Sequence, residues 1–440
     1  MNVPATSKGP SNGVRLVLSF AVLTYVLPAI AYLVMEPEVH FRCPVDRLDV
    51  WAHLTIALAC VAAGATAAGR PGRKSIAAPA RGVPVALMVI ALSAIAVGAP
   101  ALLSGASGRY GSESLADQLA DGQGGSAIAV VVLQAVAPLL AWWLFLRRPD
   151  LWRSRTGGST MVRWTLAAAT VACINGLSSA ARAAVTLAMI AWPDAGHRLL
   201  FAADQGRGTR ARGIGFAIGG FAAVAVAVAA IGLRAKTGSA GTDEAWGRYT
   251  DPAYLVGRNS VHFQHAMAGL EVGIEEGDHT AEFVDRAMIA IDDARYRIGA
   301  LTGNPAWGAR PDPSSLSRVT FERFALFEPS GRMARGGSSP SVIGAFALCL
   351  PPPWSFAAMG AFAWLLVRWL DWLLAGTPRI SWLGCAIIAF GPLRIITDTP
   401  TNLPNPFGIP FIVVSLATVA RLLSSYAAVP QPAPAHERPA

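Results

Sequence analysis

The sequence predicts an all-α integral membrane protein: a polytopic helical bundle of about ten membrane-crossing helices, both termini cytoplasmic, with one large external loop containing short helices. Three observations predict it. Hydrophobic residues make up 53% of the 440-residue chain and charged residues 14%, against about 25% charged in soluble domains. The apolar residues gather in runs of roughly 20, the length that crosses about 30 Å of hydrocarbon as helix. The polar segments between those runs alternate in charge, as the positive-inside rule requires.

The first four runs cover residues 15–35, 50–69, 82–103 and 126–146. Residues 36–49 set Glu36, Glu38, Asp46 and Asp49 against Arg42 and Arg47, whereas 70–81 hold Arg70, Arg73, Lys74 and Arg81 with no acid. Residues 104–125 carry Glu113, Asp117 and Asp121 with Arg109, and 147–163 carry Arg147, Arg148, Arg153, Arg155 and Arg163 with Asp150. The basic loops therefore lie inside, with the N-terminus. No small-x-small cleavage site follows the first run, which reads as an uncleaved helix.

Residues 162–192 are too long for one untilted span, and Asn175 to Ser179 breaks them. Arg198, Arg207, Arg210 and Arg212 follow and belong in the cytoplasm, which requires two passes and sets Arg182 at the external end of the sixth helix. Residues 213–233 return the chain outside. The loop spans 234–340, with helices expected over 260–276 and 280–299. In the second, Val284, Met288, Ile291 and Ile298 form an apolar stripe behind a Thr280 or Asp278 cap. Residues 341–372 are apolar but interrupted by Pro351-Pro352-Pro353. With Arg368 and Arg379 near its end, this stretch reads as one broken passage from outside to inside. Residues 380–396 then go out and 407–427 come back, with Arg394 and Asp398 at the external turn. The organisation is 1–233 N-terminal membrane helices, 234–340 external loop, 341–429 C-terminal membrane helices, and 430–440 a Pro-rich disordered tail.

The net charge of +9 sits largely in short inter-helix segments, where it sets topology, and no nucleic-acid partner is expected. Lysine occurs only at Lys8, Lys74 and Lys236, so arginine supplies nearly all 36 basic residues. An Ala/Arg-rich coding bias explains this, and guanidinium forks also suit phosphate and carboxylate ligands. Cys60, Cys173, Cys349 and Cys385 lie in apolar segments, while Cys43 stands in an external loop with no obvious partner. There is no disulfide framework and no metal spacing. His262 and His265 can share a helix face, but no third ligand accompanies them.

Arg182, beside Gly176 and Ser178-Ser179, reads either as a ligand for a phosphate or diphosphate headgroup at the external mouth or as an arginine snorkelling to the interface. Most loop arginines and carboxylates read as a solvated, ion-paired helical face. The stretch 323–339 differs: Arg323, Arg332 and Arg335 precede Gly336-Gly337-Ser338-Ser339-Pro340 and a helix start, a plausible anion cradle. No P-loop, G-x-S-x-G or paired zinc motif occurs, so cytoplasmic nucleotide chemistry is not expected.

Three stretches resemble the oligosaccharide repeat-unit polymerases, the O-antigen-type (Wzy-like) membrane glycosyltransferases. They are Gly176-Leu177-Ser178-Ser179-Ala180-Ala181-Arg182, the long loop ending in Gly336 to Ser341, and the C-terminal pair around Leu393-Arg394 and Asp398. An Arg-x10-Gly spacing cited for such loops occurs at Arg258–Gly269 and Arg297–Gly308, but chance supplies it in a chain this rich in both residues. The resemblance implies transfer of a growing glycan from undecaprenyl diphosphate to an incoming lipid-linked repeat unit, in the bacterial cytoplasmic (inner) membrane. It implies no cofactor, nucleotide sugar or metal, and a chain-length regulator and a flippase as pathway partners. Arg182 with Arg323, Arg332 or Arg335 would hold the diphosphate, with Arg258 or Arg297 as second choices. Glu322, Glu328, Glu271 or His265 would take the acceptor's proton. A ligase of related architecture, a polysaccharide or lipid transporter or flippase, and a structural or sensor protein are the competing readings.

Overall fold

In the computed structural model the described residues are 9–35, 43–69, 193–201, 251–275, 341–375, 377–397 and 409–426, with a few scattered positions between them. All regular elements among these are helical. Three helices are long and apolar enough to cross a membrane: α1 (Asn12–Val34), α2 (Leu48–Ala68) and α7 (Trp354–Leu373). The shorter ones are α3 (Pro193–Leu200), α4 (Pro252–Asn259), α5 (Val261–Glu275), α6 (Ser341–Cys349), α8 (Trp382–Ile388), α9 (Arg394–Thr397) and α10 (Ile409–Tyr426). The expected spans within 126–146, 162–192 and 213–233 lie outside the described residues, as does the tail; of 82–103 only scattered helical positions are described.

Ser11 starts α1 by accepting the Val14 amide at 3.2 Å. Midway, a π turn at Val22–Val26 sends the Leu27 amide back to the Val22 carbonyl, immediately before Pro28, which has no amide to offer. The wider turn carries Tyr25 into the core, where it is 2% exposed.

At one end of the bundle, hereafter the lower end, the start of α1 is tied to the chain after α7. The Gly13 amide donates to Asp371 at 2.8 Å. The Asn12 side chain donates to Thr377 and to the Pro378 carbonyl, and accepts the Ile380 amide at 3.1 Å. Arg15 donates to the Ile380 carbonyl, and Gly69, at the end of α2, lies against Val14 and Ser11. His53 and Phe356 meet near the opposite, upper end, their rings 5.7 Å apart. So α1 rises while α2 and α7 descend together. Trp369 donates to Thr418 at 3.1 Å and Arg421 covers Trp372, so α10 descends beside α7. At the lower end Ser381 docks α8 on α3 through the Leu200 carbonyl at 2.7 Å, and α8 runs through a second π turn, at Gly391 and Pro392, into α9.

Helices α2 and α7 touch backbone to backbone: a β-carbon on Gly64 would overlap the Gly360 carbonyl, and one on Gly360 would lie 3.2 Å from the Cys60 oxygen. Small residues allow this approach, and dispersion between main chains supplies the attraction that the hydrophobic effect cannot provide in lipid. Helices α5 and α6 repeat the device. Gly269 faces Gly344, and Gly273 faces Ala347, with built β-carbons at 2.7 and 2.6 Å from the opposing carbonyl oxygens. Residue numbers rise together along this seam, so α5 and α6 run parallel.

Two sequence expectations change here. The stretch 341–372 is not one broken passage. Phe346 of α6 meets Phe362 of α7 with ring centroids 5.8 Å apart, so the chain reverses at Pro351–Pro353 and α6 runs antiparallel to α7. Prolines strip the amides a continuing helix needs, while the Gly344–Ala347 face gains a backbone-close partner in α5. The second change concerns 260–276, expected as a helix of the hydrophilic loop. It is helical, as α5, but every residue from His262 to Gly273 is buried in the bundle, not a solvated face. Of the stripe expected over 280–299, Met288 and Ile291 are exposed.

Candidate functional site

Helix α5 carries two different sides. Gly269, Gly273 and the His265 carbonyl face α6. Gln264, Glu271 and Glu275, at intervals of seven and four, share another side that meets α1 and the start of α2; Ser260 precedes them by one turn. Burying such a stripe costs heavily unless each group finds a partner, and the partners are identifiable.

Gln264 donates one amide hydrogen to the Tyr32 hydroxyl at 2.8 Å and the other to the Gly257 carbonyl at 2.7 Å. Ser260 donates to the Val256 carbonyl at 2.6 Å and lies 3.5 Å from the Tyr32 hydroxyl. Phe263 packs between Tyr32 and Trp51, its centroid 5.2 and 5.9 Å from theirs. The corner between α4 and α5 is thereby fixed to the upper half of α1.

Above it stands an ion cluster. Arg47, at the start of α2, grips Asp49 with two prongs, Nη2 to Oδ2 at 2.6 Å and Nε to Oδ1 at 3.2 Å. Its remaining nitrogen, Nη1, crosses to Glu271 Oε1 at 3.3 Å and to Glu275. The side chains of Asp49 and Glu275 are 45% and 43% exposed and that of Arg47 28%, whereas that of Glu271 is 5% exposed. One carboxylate is thus held beneath a guanidinium whose outer side faces solvent. The bonds to Asp49 and then Glu275 push the Arg47 pKa further up, so it keeps its charge. Cys43 lies close by. Burial, reinforced by the Glu271 carboxylate, pushes its thiol up to about 12.

Of the residues singled out from sequence, Glu271 and His265 both fall on α5, but on different sides of it. His265 is fully buried along the α6 seam. Arg258 lies on α4, the helix before α5, which Asp251 caps by accepting the Ala253 amide at 2.9 Å. Arg182, Arg297, Arg323, Arg332, Arg335, Glu322 and Glu328 lie outside the described residues. The anion cradle expected at Gly336 to Pro340 lies outside the described residues, and only the start of α6 beyond it is described. Its Gly344 amide donates to the Ser341 hydroxyl at 3.2 Å and its Ile343 amide to the Tyr25 hydroxyl at 3.5 Å. Ser341 holds a left-handed φ of 63° to begin the helix there. Protein hydroxyls therefore occupy amides that an anion would use.

Sequence reasoning missed Arg47, Asp49, Tyr32, Gln264 and Glu275. Two signals were present: Arg47 and Asp49 straddle a helix start, and the polar residues of 260–275 recur on one helical side. Treating that helix as part of a solvated loop hid both. Among the described residues no group of three or more His, Cys, Asp or Glu gathers to hold a metal ion. The cluster's chemistry is that of a buried carboxylate oriented by a rigid cation, able to take a hydroxyl proton or a hydrogen bond. Compared with known proteins, the chain matches no family model, no curated sequence and no solved structure.

Proposed function

We propose that this protein is a membrane glycosyltransferase that polymerises undecaprenyl-diphosphate-linked oligosaccharide repeat units into a surface polysaccharide at the external face of the bacterial cytoplasmic membrane. One observation carries the reading. Helix α5, with Glu271 and His265, ends at Glu275, and α6 begins at Ser341 against it. Residues 276–340 are thereby tethered at both ends to one helix pair. Because the two helices run parallel, Ser341 stands beside the first turns of α5 and Glu275 at its other end. Glu271, a buried acid held by Arg47, lies at the upper end, which this reading takes as the external side, and the arginine-rich stretch 323–335 stands between α5 and α6 in the sequence.

Arginines from Arg182, Arg323, Arg332 and Arg335 then neutralise the leaving diphosphate, and a carboxylate or histidine takes the proton of the acceptor hydroxyl. The reaction calls on no nucleotide sugar and no metal. In a deletion strain of the source organism, single lipid-linked repeat units accumulate and the surface glycan loses its ladder of lengths. A ladder unchanged by the deletion overturns the proposal. A single transfer onto another acceptor would instead identify a ligase. Arg182→Lys keeps the charge but loses the planar fork, and polymer yield should fall at least about 10-fold; full yield clears Arg182 of the role.

A further inference from the structure

The sequence left four residues open as the proton acceptor, and the described bundle separates two of them. His265 is wedged along the glycine seam, its carbonyl against Gly344 and its side chain wholly enclosed. Glu271 lies six residues further on, about 240° around the helix. It sits on the side that meets Arg47, one turn below the exposed Glu275. The close approach of α5 to α6 comes from Gly269 and Gly273 on another side of the helix and does not involve Glu271. A buried acid in a membrane bundle is costly and marks function by default.

The geometry of Arg47 is informative. A guanidinium has one planar fork and one remaining edge. Asp49 takes the fork through Nη2 and Nε, which fixes the plane, and the remaining Nη1 edge is left aimed at Glu271 and Glu275. Asp49 and Arg47 together form a rigid arm reaching from the start of α2 to the tip of α5, residues 224 positions apart. A lysine in this position has no fork to lock and would swing.

We propose that Glu271 is the carboxylate that accepts the acceptor sugar's proton, and that the Asp49–Arg47 arm is the positioning device that holds it. The inference rests on the glycosyltransferase reading. In the step, the acceptor oxygen forms its bond to the anomeric carbon of the lipid-linked donor as its proton passes to Glu271. The bond from that carbon to the diphosphate oxygen breaks, and its electron pair leaves with the diphosphate. Glu271 then returns the proton to solvent at the upper end.

The test uses membranes of the deletion strain, which hold the accumulated lipid-linked repeat units, supplied with purified full-length protein. Rates are normalised to folded protein by melting curves. With wild-type protein a ladder of polymer forms; absence of the ladder defeats the polymerase reading itself. Given that ladder, Glu271→Gln should lose at least about 100-fold in kcat, as removal of a general base does, with KM nearly unchanged. Retention of half the wild-type rate overturns the inference and leaves the polymerase standing. Should Glu271→Gln not fold, Glu271→Asp keeps the charge but withdraws it by one methylene, and a loss of about 10-fold in kcat is expected; an unaltered rate overturns the inference. Arg47→Lys and Asp49→Asn should each lower kcat several-fold without raising KM, because they loosen aim and not binding. The pair Arg47→Glu with Glu271→Arg restores an ion pair with its ends exchanged. Recovery of melting temperature without turnover supports the proposal. Recovery of both shows that no carboxylate is needed at 271 and ends it.

Discussion

The two glycine seams of this bundle use the same packing and differ in what surrounds it. Between α2 and α7, Gly64 and Gly360 bring two membrane-length helices into main-chain contact, and the buried residues along α2 are apolar. Between α5 and α6, Gly269, Gly273 and Gly344 do the same for two short helices. There the buried set includes Gln264, His265 and Glu271. Glycine approach and the His53–Phe356 ring pair join α2 to α7, whereas α5 must also satisfy a polar stripe, through Tyr32 and Arg47. The first seam is lined by apolar residues; the second lies beside buried polar groups whose partners stand on α1 and at the start of α2.

Substitutions that fill the seams give the largest expected effects. Gly64→Ala puts a methyl into the Gly360 carbonyl, and helix separation should cost about 3 kcal/mol even after the helical advantage of alanine. Gly344→Ala, with its β-carbon 2.6 Å from the His265 oxygen, should cost about 1–2 kcal/mol. Gly360→Ala, with 3.2 Å of room, should change stability by less than about 1 kcal/mol. Tryptophan-fluorescence melting in detergent reads all three. If Gly360→Ala proves as harmful as Gly64→Ala, the seams are not governed by backbone approach.

Next in size is the polar stripe. Tyr32→Phe removes the hydroxyl that receives the Gln264 amide, and should cost about 1 kcal/mol, the usual worth of one hydrogen bond in a membrane bundle. A larger loss than that from Gly344→Ala would mean that the polar contacts, not the seam, hold α5 in place.

The smallest effect is local. With its pKa raised to about 12, the Cys43 thiol stays protonated at pH 8 and should alkylate with iodoacetamide far more slowly than an unfolded cysteine. Because the folded value lies above the unfolded one, this thiol's contribution to stability is complete below about pH 8.5 and disappears as pH rises through about 12. Glu271→Gln removes the neighbouring negative charge and should speed alkylation; an unaltered rate would place Glu271 away from Cys43.

Several features were legible without coordinates because they are local sums. The apolar runs at 15–35 and 50–69 became α1 and α2 within a few residues, since the cost of placing a segment in lipid adds up along the segment itself. The helical stretches 380–396 and 407–427 appeared for the same reason. The helix expected over 260–276 also appeared, though its burial was not expected. Pro351–Pro353 announced an interruption, but a run of missing amides says only that a helix stops, and the antiparallel return of α6 against α7 depends on which surface it then meets.

The chain's composition and periodicity by themselves determined an all-helical, membrane-associated protein and where its longest described helices lie. Tertiary structure alone decided that α5 sinks into the bundle beside α6, and that Arg47 meets Glu271 across 224 residues. Hydropathy is summed residue by residue along one segment. Glycine-to-carbonyl fit and the pairing of buried polar groups are properties of two surfaces brought together, and no single segment carries that information.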